Sequence, residues 1–271
     1  MKVEHAKPKV GSIVTMSRDD FLKGAYAAEI QQLLVERSAL VFPAMHLNDD
    51  EQLQFASTIG KVFLVGGNQE LQNISMDPTI NPVADYTRGA FYWHIDGAND
   101  PVPAKATMLS ARVLPAAGEG GDTLVANTYA AYADLPEEEK QSLEGITVRH
   151  ALEASQRYIN PAPTAAELAR WQAFPSRSHP LVWKHQHGRS SLLLGNTCHY
   201  VKDMDIAEGN MLLARMMDWA TQDEYVYRHT WAEGDFLIFD NTGAMHRAAN
   251  YPLGSKRLMR RTTLHGEESV N

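Results

Sequence analysis

Apolar residues recur at two different spacings along the chain, and the change falls near residue 104. Before it the spacing is helical. Ser17-Arg-Asp-Asp20 approximates a capping box, and Phe21, Ala25, Ala28, Ile30, Leu33 and Leu34 then return at helical intervals. Ala39-Leu-Val-Phe42, a short apolar run closed by Pro43, reads as a strand. Asn48 stands where a cap would start a second helix carrying Leu53, Phe55, Ala56 and Ile59, and Gly60 would end it.

Beyond residue 104 short apolar runs alternate with turns: Ala104–Leu114, Thr123–Ala126, Ile146–Ala151, Pro180–Trp183, Ser191–Leu194, Tyr225–Trp231, Phe236–Phe239 and Arg257–Leu264. Many short strands broken by Gly and Pro predict a sandwich or barrel. Two helices interrupt them. One starts at Leu135-Pro136-Glu-Glu-Glu, with proline and acids in its first turn; the other spans about Ala207–Ala220, with Met211, Leu212, Met216 and Trp219 on one side. The pattern is that of one α+β domain, a β core decorated by helices. With no repeat, low-complexity tract or linker to divide it, residues 1–271 are expected to form a single domain with short flexible ends at about 1–14 and 266–271.

Composition narrows the function. Lys and Arg number 25 against 33 Asp and Glu, a net charge of −8, which argues against a general nucleic-acid binder. Apolar stretches such as Leu192–Leu194 fall far short of the ~20 residues that span a bilayer, and no apolar run follows the N-terminal lysines. A cytoplasmic protein with no membrane partner is therefore expected. Cys198 is the only cysteine, so intramolecular disulfides and thiolate-rich zinc or iron–sulfur sites are excluded. Eleven histidines carry the search for chemistry.

Phe91-Tyr-Trp-His-Ile-Asp-Gly97 is the most informative segment. If it is extended, His94 and Asp96 point to one face and can supply an imidazole and a carboxylate to one ion. A third ligand must come from elsewhere, and His246 lies just past the run Phe236–Phe239. Two histidines and a carboxylate on one side of a metal leave positions open, as in non-haem iron(II) oxygenases. Taken alone, His-x-Asp equally describes a structural histidine bonded to a neighbouring carboxylate. The segment Lys256–Leu264 adds to the metal reading, because period two puts Arg257, Met259, Arg261 and Thr263 on one face. Arginines turned into a barrel are costly unless they meet anions, and the guanidinium fork suits a carboxylate. A solvated edge strand would show the same spacing.

In order along the chain, Leu40-Val-Phe-Pro43, Trp93–Asp96, Pro103–Arg112, Gly120-Gly-Asp-Thr-Leu124, His179-Pro180, Gly234–Asn241, Met245-His-Arg247 and the Arg257/Arg261 pair resemble the iron(II)/2-oxoglutarate dioxygenases of the taurine dioxygenase/2,4-dichlorophenoxyacetate dioxygenase family. The resemblance runs from about residue 15 to 266. Pro103–Arg112 and Ala220–Tyr227 look closer to the aryloxyalkanoate branch. It implies a double-stranded β-helix (jelly-roll) core, and iron(II) bound by His94, Asp96 and His246. It further implies that Arg257 holds the distal carboxylate of 2-oxoglutarate with help from Thr123, and that Arg261 faces the anionic group of the substrate. The implied reaction consumes O2 and 2-oxoglutarate, gives succinate and CO2, and hydroxylates a small anionic organic compound such as a carboxylate, aryloxyalkanoate or sulfonate. Relatives are commonly dimers or tetramers, so a homo-oligomer is implied too. Three positions depart from the family pattern. Phe63–Asn68 lacks the histidine of taurine-type members, Thr197 stands near a position where the aryloxyalkanoate branch has histidine, with His199 out of register, and Phe239 replaces the tryptophan of many members.

The same iron site could desaturate or cyclise its substrate. A non-catalytic metal- or small-molecule-binding jelly roll is the alternative from another class. A zinc hydrolase could use the same three ligands but not a keto-acid arginine. Residues 65–90, rich in Gly and Asn-Pro, are expected to be a mobile loop that closes over substrate. His150, His179, His185 and His187 are expected at the surface or in turns rather than as ligands, and Met211, Met216, Met217 and Trp219 as helix-to-core packing.

Overall fold

The computed structural model describes residues 1–270. Its main sheet has seven strands in the order β1 (Lys2–His5), β2 (Ser12–Thr15), β3 (Ala39–Phe42), β13 (Phe236–Asp240), β5 (Ala106–Val113), β15 (Leu258–Thr263) and β4 (Gln72–Ile74). A second sheet runs β12 (Val226–His229), β6 (Thr123–Asn127), β14 (Ala244–Ala248). Beside it lie β11 (Cys198–Val201), β7 (Thr147–His150) and β8 (Arg177–Pro180), and the pair β10 (Ser190–Leu192) and β9 (Val182–Lys184). Among the described residues only β2 and β3 pair in parallel.

Strand parity decides which way each residue faces. Leu40, Phe42, Met108, Phe236 and Ile238 turn to the outer face of the main sheet, where Phe21, Ile30, Leu34 and Phe55 of the N-terminal helices cover them. Phe21 stacks on Phe55 with centroids 3.7 Å apart, and Phe236 stands edge-on to both. The alternate residues Val41, Leu109, Leu237, Phe239 and Met259 turn inward and meet Val125 and Ala244 of the second sheet. On the far side of that sheet Leu124, Ala126 and Met245 pack with Trp183, Tyr225 and Met216.

The helices carry the expected caps. Ser17 Oγ accepts from Asp20 N–H, and Asn48 and Glu51 form a reciprocal capping box on Asp49–Ile59. The first helical run is two helices, Arg18–Leu22 and Ala27–Arg37. Gly24 separates them at φ +65°, where a Cβ would lie 2.6 Å from Thr58 Cβ; the close approach of helix Asp49–Ile59 requires that break. Met211 is a correction: it is 73% exposed, whereas Met216 is buried. Five residues at ~100° each turn it about 140° away from Met216, off the packed stripe.

The end expected to be flexible, about residues 1–14, holds β1 and most of β2, which extend the main sheet. Buried Arg37 fastens them, donating to the carbonyls of Pro8 and Gly11 and to Ser12 Oγ. No periodicity in that segment announces the pairing, because the partner is supplied from β3. Residues 266–270 have no regular element, yet Glu268 accepts from the Gln186 N–H and Glu267 pairs with Lys105. Asn271 lies outside the described residues. No helix among the described residues is long and apolar enough to cross a membrane.

Candidate active site

A cavity of about 380 Å³ opens between the inner face of the main sheet and β6 and β14. Along β14, Met245 points to the outer core while His246 points into the cavity. His94 is tied to it by backbone: His94 N–H donates to the His246 carbonyl at 3.0 Å, and His246 N–H to the His94 carbonyl at 2.8 Å. Two histidines distant in sequence thus become neighbours through one antiparallel bridge. Gly195 packs against this bridge at φ +142°, where a Cβ would lie 3.0 Å from His94 Cα, so a side chain there would be strained and crowded.

Asp96 is aimed by a ring of hydrogen bonds. Its Oδ2 accepts from the Thr107 hydroxyl at 2.7 Å; Thr107 Oγ1 accepts from Asn241 Nδ2 at 2.9 Å; Asn241 Oδ1 accepts from Asp96 N–H at 3.3 Å. One ligand atom from each of His94, Asp96 and His246 lies within 4.8 Å of the other two. Asp96 Oδ1 is 3.9 Å from His94 Nε2, and Oδ2 is 3.8 Å from His246 Nε2. Those gaps are too long for hydrogen bonds.

The donor set fits a divalent metal. His94 Nδ1–H donates to the Tyr92 carbonyl at 2.9 Å, which leaves the Nε2 lone pair facing Asp96. Burial lowers the pKa of both imidazoles against the opposing pull of Asp96; Arg261 lowers both further and His94 lowers His246, so both imidazoles are neutral near pH 7 and available to a metal. Burial pushes the Asp96 carboxyl the other way, but Arg261, then His246 and His94, and the Thr107 hydroxyl hold it well below the usual carboxylate range. Two lone pairs and an anion therefore converge with no proton between them. His246 is steadied by packing instead, its ring 4.0 Å from that of Phe239.

Arg257 is 2% exposed and lines the same cavity. Its Nη2 donates to the Gly121 carbonyl at 3.0 Å, the Tyr251 ring lies 4.9 Å from its guanidinium carbon, and its Nε has no partner among the described residues. The nearby Asp122 is engaged by Arg228 and Thr230. A buried guanidinium without a carboxylate is unfavourable until an anion meets it, and the keto diacid fits that need. Thr123 Oγ1 accepts from Trp231 Nε1 at 3.1 Å, so its hydroxyl proton is left to donate into the cavity. Arg261 is held by Gln72 of β4, whose Oε1 accepts from both Nε and Nη2, and lies 3.4 Å from Asp96 Oδ1.

A model of the family described as "Taurine catabolism dioxygenase TauD, TfdA family" matches residues 2–263. The chain belongs to that family. It is 33% identical to the alpha-ketoglutarate-dependent 2,4-dichlorophenoxyacetate dioxygenase of Burkholderia sp. (strain RASC), over 95% of this chain and 91% of that one. It is 31% identical to the (S)-phenoxypropionate/alpha-ketoglutarate-dioxygenase of Sphingobium herbicidovorans, over 95% and 92%. The crystal structure of AAD-2 with Mn(II) and N-oxalylglycine superposes with a TM-score of 0.86 at 29% identity, covering 100% of this chain and 99% of that one. As a TauD/TfdA member, this protein is an oxidoreductase with the double-stranded β-helix core and the metal- and 2-oxoglutarate-dependent chemistry of the family.

All six residues singled out in the sequence line one cavity. Sequence reasoning missed Thr107, Asn241 and Gln72. Thr107 could have been found from parity with Leu109, and Asn241 from its place in Gly234–Asn241; Gln72 gave no signal, because only the pairing of β4 with β15 brings it to Arg261. Asn241→Ala should weaken metal binding roughly 10- to 100-fold, as loss of outer partners does, measured by chelator competition; an unchanged affinity would take the ring of hydrogen bonds out of the account. His199 does not line the cavity, whereas Thr197 does, bonded to His150 Nδ1 at 2.9 Å. His150, His179 and His185 are buried rather than at the surface. They are held by Thr197, the Asp100 carbonyl and Ser191, and stand apart from the metal cluster. Trp93 and Tyr92 do not line the cavity. Residues 72–90 supply one of its walls through β4, helix Ala84–Thr87 and the turn after it.

Proposed function

We propose that this TauD/TfdA protein, acting as a single dioxygenase domain, hydroxylates a small organic anion of the aryloxyalkanoate type. His94, Asp96 and His246 hold iron(II), Arg257 and Thr123 hold the distal carboxylate of 2-oxoglutarate, and Arg261 takes the acid group of the substrate. The observation that carries this reading is the buried Arg257, without an ion-pair partner among the described residues, on the same cavity as a neutral two-histidine, one-carboxylate cluster. Similarity to dioxygenases of dichlorophenoxyacetate and phenoxypropionate supports the substrate class. When bound, iron(II) with 2-oxoglutarate and O2 supplies the oxidant, the keto acid leaving as succinate and CO2 while oxygen enters a substrate C–H bond.

The residues of this chain supply placement. Arg257 fixes the cosubstrate at one end of the cavity, the Asn241–Thr107 pair fixes Asp96, and the stacked Leu109, Met259 and Phe239 keep that floor apolar. Arg261 anchors the acid near Asp96, so the carbon next to the acid is the one brought to the metal side. The reading keeps the cytoplasmic placement and the homo-oligomeric state expected above.

Substrate-stimulated succinate release from iron(II)-loaded protein, screened over carboxylates, aryloxy acids and sulfonates, is the test. Arg261→Ala should raise the substrate KM by about tenfold or more, the scale of one or two lost charge-assisted hydrogen bonds, while substrate-free 2-oxoglutarate turnover continues. Equal loss of both activities would sink that role. Product analysis separates hydroxylation from desaturation or cyclisation.

A further inference from the structure

We infer that Gln156 reads a hydrogen-bonding group on the body of the substrate, so that the acid taken by this site carries a hydroxyl, carbonyl or amide away from its acidic end. The inference rests on the reading above and narrows its substrate class. Gln156 belongs to the short helix Leu152–Arg157, is 6% exposed and lines the cavity of the metal cluster. Its backbone carbonyl is used by Ile159 and Asn160, but its side-chain amide has no hydrogen bond among the described residues.

The other amides of the cavity wall are engaged. Asn81 donates to the Ser75 carbonyl, Asn196 to that of Gly89 and Asn99 to that of Pro175, while Asn73 and Gln72 accept from Arg260 and Arg261. Gln156 alone among these cavity amides offers a free donor pair and a free acceptor. Glycine at position 89 leaves it uncovered, since a Cβ there would sit 3.9 Å from its Nε2 and 3.8 Å from Asn196 Nδ2. Asn196 N–H in turn bonds the Trp93 carbonyl, one residue before His94, and Gln156 lines the same cavity as the cluster. Leu152, Val83 and Ile95 share the cavity wall with it. A purely apolar substrate body would strip water from the amide and return nothing, whereas a matching polar group would restore its hydrogen bonds. Sites built around such a group discriminate strongly against analogues that lack it.

The experiment titrates phenoxyacetate and its ring-hydroxylated and ring-carboxamide analogues, without oxygen, into iron(II)- and 2-oxoglutarate-loaded protein by calorimetry. At least one polar analogue should bind about tenfold or more tighter than phenoxyacetate, and Gln156→Leu should abolish that preference while leaving the affinity for phenoxyacetate equal or better. Gln156→Met serves if the leucine variant does not fold. No preference in the wild type, a preference that survives both substitutions, or binding of none of these acids would overturn the inference. Substrate-free turnover of 2-oxoglutarate is measured alongside: its presence keeps the dioxygenase reading when the Gln156 inference fails, and its absence removes both.

Discussion

Replacing Arg257 by alanine is expected to raise the 2-oxoglutarate concentration needed for half-maximal succinate formation roughly 10²- to 10⁴-fold. The estimate follows from two charge-assisted hydrogen bonds to one carboxylate, about 1.5–3 kcal/mol each, at about 1.4 kcal/mol per factor of ten. Arg257 has the Gly121 carbonyl and the Tyr251 side chain as partners and no carboxylate in ion-pair contact among the described residues, so part of its fork is left for a ligand. Its removal also takes away an uncompensated buried charge, so the thermal stability of the metal-free protein should fall little. That pairing of a large binding defect with a small stability defect is diagnostic. A structural arginine would give the opposite balance, and normal dependence on 2-oxoglutarate would remove Arg257 from the site. Arg257→Lys keeps the charge but loses the planar fork, and should recover only part of the affinity.

Asp96→Ala is expected to cost more than any outer residue. The carboxylate is the one anion among the three ligands, and two neutral imidazoles 4.1 Å apart at their centroids are a poor site for a divalent ion by themselves. Iron(II) affinity should fall beyond the roughly 100-fold bound set by loss of an outer partner, and substrate-stimulated succinate should vanish. Equilibrium dialysis separates the two effects. Retained iron with lost turnover would make Asp96 a residue of the reaction rather than of metal binding; retained turnover would dismiss the triad. The variant also leaves Arg261 without Asp96 and still bound to Gln72. Its fold should therefore persist, because that guanidinium is part-exposed and keeps partners.

How much of this was legible beforehand differs from element to element. The strands at Ala39–Phe42, Thr123–Asn127 and Phe236–Asp240 and the helix at Asp49–Ile59 announce themselves through apolar runs, caps and turn residues, which are local signals. The break at Gly24 and the outward turn of Met211 do not, because they depend on which neighbour packs where. β1, β2 and β4 are edge additions whose residues carry little pattern of their own; their hydrogen bonds come from a partner distant in the chain.

The chemistry divides along the same line. His-x-Asp, the distant histidine and the two arginines four residues apart are legible as residue types and spacings, and these the sequence determines by itself. The strand parity used to align them does not hold throughout, since His94 sits in an isolated bridge, Asp96 in a turn and Arg257 just before β15. That the three candidate ligand atoms converge was decided by the backbone bridge between His94 and His246 together with the hydrogen bonds of Thr107 and Asn241 around Asp96, long-range contacts that no local pattern encodes. The tertiary structure likewise chose the neutral state of the imidazoles and the depressed pKa of Asp96. Burial and the summed field of Arg261, Thr107 and the neighbouring ligands set those, and none is adjacent in sequence to all the groups it acts on. Gln156 is the clearest case: an unremarkable glutamine in a short helix, it becomes informative only once every other amide on the wall is seen to have a partner.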